Sequence, residues 1–113
     1  MSRAPALTRL FTLETPEDAA DGGGGRARSW RSVGAHWAAL RAVSAAEAVA
    51  HGAQTRRVTH RAVIRWASEG SASRPGPAQR FREGDRVFDI VAVAEADDGR
   101  RFLDCWLVEG RLT

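Results

Sequence analysis

Hydrophobic and polar residues alternate along much of this chain with the two-residue period of β-strands. The alternation is plainest from Arg56 to Trp66. There Val58, His60, Ala62, Ile64 and Trp66 fall on one face, and Arg57, Thr59, Arg61, Val63 and Arg65 on the other. That pattern predicts an antiparallel strand with one face on the core. At ~3.3 Å per residue, such a strand would run about 36 Å if straight, so it is expected to bend or to project.

An earlier strand is predicted over Leu7–Glu14, ending before Thr15 and Pro16. The stretch from Glu17 to Arg26 holds four consecutive glycines, Gly22 to Gly25, and reads as a mobile hairpin loop with an acidic first half. A second strand is expected over Trp30–Leu40. Its core face would be Val33, Ala35, Trp37 and Ala39, and its other face Trp30, Ser32, His36 and Leu40. From Ser44 to Gly52 the pattern changes. Ser44 followed by Glu47 is a capping box, alanines favour helix, and Gly52 is a stop. A helix of about two turns is not stable alone and needs a partner.

Ser68–Pro77 is a Ser/Gly/Pro loop. A short strand is expected at Gln79–Arg82, then a turn at Glu83-Gly84-Asp85. Arg86–Ala94 becomes apolar on both faces, as for a strand covered on both sides. A turn with the Asp98-Gly99 signal leads to a last strand, Arg101–Glu109. The fold class is therefore mainly β. We expect a small antiparallel β-barrel or sandwich of five to six strands, with one short helix in a long inter-strand loop. Trp37, Ile64, Phe88 and Ile90 are expected in the core.

Length adds a constraint. The 113 residues fit one domain, 1–113, and a chain this short buries only about two-thirds of its unfolded surface. Partner subunits can therefore supply much of the stability in use. No stretch reaches the roughly 18 apolar residues of a membrane span, and the N-terminus lacks a signal-peptide run, so no membrane partner is expected. All 17 basic residues are arginines, with a net charge of +3. That charge is too small to establish nucleic-acid binding, although arginine suits bidentate contacts with carboxylates and phosphates.

No catalytic set assembles. The lone Cys105 lies in an apolar run and reads as a buried residue. His36, His51 and His60 show no zinc spacing, and His60 reads as a core-face histidine with a hydrogen-bond partner. No Gly-Lys-Ser/Thr follows the glycine run, so it is not a phosphate loop. No enzyme activity, metal or cofactor is expected. The row Arg57, Arg61 and Arg65 has two readings. It is a solvated strand face, or it is a subunit or nucleic-acid interface to which Trp30 and Arg74 also belong.

The order of these features resembles the phage head–tail joining family, also called head-closure or stopper proteins. The resemblance runs from about Leu7 to Glu109. It rests on Trp30-x-x-Val33-x-x-x-Trp37-Ala38, Ser44-x-x-Glu47-Ala48 and Thr59-x-x-x-Val63-Ile64-Arg65-Trp66. It continues in Gly84-Asp85-x-x-Phe88-Asp89-Ile90-x-x-Val93, Arg101-Phe102-Leu103-x-Cys105 and Glu109. The departures are Trp66 where tyrosine is usual and the Pro75-Gly76-Pro77 loop. The resemblance implies a structural part of a virion, whether phage, prophage remnant or gene transfer particle. It implies a homo-oligomeric ring, hexameric or else dodecameric, between a portal or adaptor protein and a tail terminator or tail tube. Packaged double-stranded DNA would thread the ring. The excursion from Arg41 to Thr55 would line or close the channel, with Arg41, Ser44, Glu47, His51, Gln54 and Arg56 as its contact residues. Two other roles stay open: an adaptor or tail-completion subunit, and a free-standing nucleic-acid-binding barrel.

Overall fold

In the computed structural model, which describes residues 4–20, 22–50 and 58–112, every strand pairs with its neighbours in antiparallel fashion. The elements are β1 (Arg9–Ala20), β2 (Arg26–Ala42), α1 (Ala45–Ala50), β3 (His60–Arg65), β4 (Arg80–Glu83), β5 (Arg86–Glu95) and β6 (Phe102–Gly110). The strands close into a barrel in the order β1-β2-β3-β6-β5-β4, with β4 returning to β1. A barrel this narrow is filled by its own side chains. Phe11, Leu13, Ala38, Ala62, Ile64, Phe81, Phe88, Ile90, Leu103, Cys105 and Leu107 form that interior. Phe11 sits at the centre, with ring centroids 5.4 Å from Phe81 and 5.7 Å from Phe88.

β3 has the phase its alternation predicts, with Ala62 and Ile64 fully buried. It is shorter than expected: Val58 and Thr59 precede the ladder, while Arg56 and Arg57 lie outside the described residues. Val58 also leaves the barrel interior and joins a second cluster outside it, with Ala48 and Trp106. The hairpin after β5 forms at the Asp-Gly turn. Asp97 holds it by accepting from the Arg101 backbone N–H at 3.1 Å.

The structure corrects two expectations. Trp37 is 54% exposed, not in the core. The cause is a bulge in β2. Leu13 pairs with Gly34 but Glu14 pairs with Ser32, so Val33 is an extra residue and the alternation reverses phase there. Past the bulge His36, Ala38 and Leu40 turn inward, and Trp37 turns outward beside Leu10, its cross-strand neighbour. Second, the first strand does not stop at Thr15, and the acidic stretch is not a loop. β1 continues through Pro16 to Ala20 and pairs with β2 down to Arg26. Pro16 is tolerated because β4 covers β1 only from Thr12 to Glu14, so the outer edge of β1 beyond that point needs no donor. The glycines are confined to the tip, where Gly22 and Gly24 adopt positive φ. The result is a two-stranded ribbon projecting ~20 Å from the barrel, and the molecule measures 58 × 29 × 25 Å.

Denaturant melts test this packing. Ile64→Ala, which empties a fully buried site on β3, is expected to cost roughly 2–5 kcal/mol. Trp37→Ala on the outer wall is expected to cost under about 1 kcal/mol. A larger loss at Trp37 than at Ile64 would reverse the assignment of faces.

Candidate assembly surface

The excursion between β2 and β3 begins where its sequence signal places it. Ser44 caps α1: its Oγ accepts from the Glu47 N–H at 3.1 Å, and its carbonyl accepts from Ala48 N–H at 3.0 Å. The Glu47 carboxylate does not return to Ser44 as a full capping box would. It takes both guanidinium nitrogens of Arg41 instead. The helix rests on the barrel wall through Ala48, which packs with Val58 and Trp106. Val43, Val91 and Ala92 fill around them. This explains why the second half of β5 is apolar on both faces. A bulge at Val91 sends Ile90 and Val93 inward and leaves Val91 and Ala92 under α1. His51, Gln54 and Arg56 lie outside the described residues.

The arginine row does not present a bare positive face. Arg61 donates twice to Asp104 Oδ1, at 2.6 and 3.0 Å, and stacks 5.5 Å from the Trp106 ring. Arg65 is exposed near Leu7 and Trp37, and Arg57 lies outside the described residues. Arg74 turns back to donate to the Ala67 carbonyl at 3.2 Å.

Trp30 marks a cluster that spacing alone does not show. Glu14 and Arg80 face each other across β1 and β4, and Arg80 Nε donates to Glu14 Oε1 at 2.7 Å. Both are buried, and the Trp30 ring covers the guanidinium at 4.1 Å. Glu14 and Arg80 are 66 residues apart, so no local signal joins them. Burying the pair costs desolvation, which the short hydrogen bond and the indole face offset. The cluster stands where the ribbon leaves the barrel. It floors a groove of about 570 Å³ that Arg28, Gln79, Asp89 and Arg111 also line.

His36 and His60, the two described histidines, do not form a common site. His60 Nδ1 contacts Thr59 Oγ1 at 2.8 Å and its ring meets Phe88 edge-on, while His36 meets Phe81 edge-on. Burial is the main cause that lowers both pKa values. For His36 a backbone contact with Ser73 pulls the other way; for His60, Glu109 raises the pKa while Arg86 and Arg9 lower it. Burial also pushes the Cys105 thiol far above its ordinary value, so it stays protonated at neutral pH. Among the described residues no group of three His, Cys, Asp or Glu side chains could hold a metal.

Fold and surface together define a small closed β-barrel carrying a ribbon and a docked helix, whose charged and aromatic groups serve packing and contact. The family model for phage head completion proteins matches residues 2–110, and the chain belongs to that family. It is thus a structural component of a phage-type virion. Among solved structures, a chain from the virion of a native gene transfer agent particle is 37% identical. The alignment covers 97% of this chain and 100% of that one, with a TM-score of 0.71. Protein SF1141 from Shigella flexneri 2a, solved in solution, is 25% identical over 92% of this chain and 93% of its own, with a TM-score of 0.67. No curated protein matches.

Two measurements probe the charged groups. Glu14→Ala strands the Arg80 charge in a buried site and is expected to cost roughly 3–5 kcal/mol. Glu14→Leu with Arg80→Met is expected to recover most of that loss in the same melts. For the histidines, a depressed folded pKa means the unfolded chain takes up protons first, so their stability contribution is complete above the unfolded pKa and falls below it. The melting temperature is expected to drop as pH falls from about 7 toward about 5, before the carboxylates titrate. His36→Phe is expected to flatten that slope, and an unchanged slope would exclude His36 as its source.

Proposed function

We propose that the protein is the head–tail connector subunit known as a stopper, working as one member of a ring between portal or adaptor and tail. Membership of the head completion family over residues 2–110 carries this reading. In it, the excursion from Arg41 to Thr55 faces the DNA channel and lines or closes it, with Arg41, Ser44, Glu47, His51, Gln54 and Arg56 as its contact residues. Trp30, Arg57, Arg61, Arg65 and Arg74 belong to the faces that meet neighbouring subunits or partners. The ring is hexameric, with a dodecamer as the alternative stoichiometry.

The local physics of α1 supports a movable element. The helix spans six residues, far below the length that is stable alone. Among the described residues, its docking includes one buried alanine and the Arg41–Glu47 ion pair. While it is docked, Glu47 neutralises Arg41; once it leaves the wall, Arg41 is released toward a polyanion. Ring symmetry would repeat that charge around the channel, giving salt-sensitive contact with DNA that does not read sequence.

The charge distribution disfavours a free-standing nucleic-acid module. Arg9, Arg28, Arg31, Arg41, Arg61, Arg80, Arg86 and Arg101 each hold a carboxylate within the molecule. Among the described residues, these pairs take up much of the positive charge.

The test is to shorten Ala45–Gly52 and assemble particles. The expected outcome is that rings still form and heads leak DNA. Full DNA retention with normal tail joining would remove the gating role. Loss of the ring would assign the segment to the subunit interface.

A further inference from the structure

The barrel closes on itself, with β4 returning to β1. The ribbon is different. From Thr15 to Ala20, β1 pairs only with β2, and from Arg26 to Arg31, β2 pairs only with β1. Both outer edges of the ribbon are therefore without a strand partner among the described residues. A two-stranded ribbon is marginal in water by itself.

Its charges are sorted by strand. Glu17 and Asp18 stand on β1, while Arg28 and Arg31 stand on β2. They pair across the ribbon, Arg28 to Asp18 at 3.2 Å and Arg31 to Glu17 at 2.9 Å. All four side chains are still about half exposed, and exposed pairs of this kind add little stability. One long edge is thus acidic and the other basic.

We infer that the ribbon is an assembly contact, in which the acidic β1 edge of one copy lies against the arginine-bearing β2 edge of the next. Sign alone selects this arrangement. A two-fold contact, β1 to β1 or β2 to β2, would set like charges against each other. DNA could meet only the arginine-bearing edge and would leave the acidic edge unmatched. Joining β1 to β2 places each acid between arginines of two copies. It is also heterologous, the kind of contact that closes into a ring when repeated by rotation. With the rotation axis along the ribbons, β1 and β2 alternate in direction around it, so antiparallel pairing continues from copy to copy. Pro16 supplies no N–H, which confines any shared ladder on the β1 side to Glu17–Ala20. The inference deepens the ring reading and rests on it.

The test uses particles assembled from a mixture of Ala19→Cys and Ala27→Cys subunits. The two cysteines must be on different chains because Ala19 and Ala27 face each other within one ribbon. Both alanines are exposed, and the native Cys105 is fully buried and does not compete. A short bis-maleimide is expected to give covalent dimers joining the two variants, and none from either variant alone. Glu17→Arg with Asp18→Arg is expected to abolish the cross-link, and adding Arg28→Glu with Arg31→Glu on the same chain to restore it. Dimers from Ala19→Cys alone would overturn the head-to-tail arrangement. Particles with many copies but no mixed cross-link would leave the ring standing and overturn the ribbon contact. A single copy per particle, counted by mass spectrometry, would overturn both.

Discussion

A closed sheet is only as continuous as its shortest seam. Here that seam joins β1 to β4 through three residue pairs, Thr12 with Arg82, Leu13 with Phe81 and Glu14 with Arg80. The inward pair meets Phe11 and Phe88 in the barrel centre. Of the two outward pairs, Glu14 and Arg80 make the contact beneath Trp30. The same three residues of β1 therefore fill the interior, close the barrel and hold the point where β1 leaves it. Beyond Glu14 the strand has no β4 beside it, so the ribbon's direction depends on what happens at this seam. A buried ion pair is a costly device for stability alone. It gains a purpose if the angle of the projection matters.

The two departures from the barrel differ in how they are held. The ribbon is a continuation of β1 and β2 with an unbroken ladder from Glu14–Ser32 to Ala20–Arg26, so its base inherits the rigidity of the barrel. The excursion is a detour that interrupts pairing between β2 and β3, and among the described residues it meets the wall at Val43, Ala48 and Val58. The helix contributes one buried alanine to that contact, and Trp106 and Val58 supply the rest of it. Physically, one projection suits a fixed contact between subunits and the other an element that changes position. That division suits the connector role proposed above.

Much of the barrel was legible because β3 is regular, and a two-residue period there assigns Ala62 and Ile64 to the core face. What escaped lies at bulges. In β2 a strict period starting from Val33 places Trp37 inside; the extra residue puts His36 and Ala38 there instead. A bulge has no composition of its own, and Gly34 beside it is too common a residue to announce one. The ribbon was hidden for a related reason. Pro16 and the glycine run are breakers in most contexts, yet a proline on an open edge breaks nothing, and the glycines occupy only the tip. The capping signal at Ser44 was local and was read correctly, whereas the partner of Glu47 was set by where β2 delivers Arg41.

The placement of the aromatic residues adds a last constraint. The barrel interior is built on three phenylalanines, Phe11, Phe81 and Phe88, and none of the tryptophans belongs to its fully buried set. Trp30 covers the seam, Trp106 lies under α1, Trp66 packs at the barrel's edge with its Nε1 donating to Glu95 at 3.2 Å, and Trp37 stands in the open beside Leu10. Large aromatic side chains with a polar edge serve best where one side is dry and the other wet, which is why they concentrate at interfaces. A barrel that needed them for its own core would have them inside. Those on the wall instead stand beside arginines: Trp30 with Arg80, Trp106 with Arg61, and Trp66 with Arg100. Guanidinium groups can stack on a ring face and bind a carboxylate in the same plane, which an ammonium cannot do. An all-arginine surface can thus form dense, directional contacts within a small chain and extend them to a neighbour without changing their chemistry.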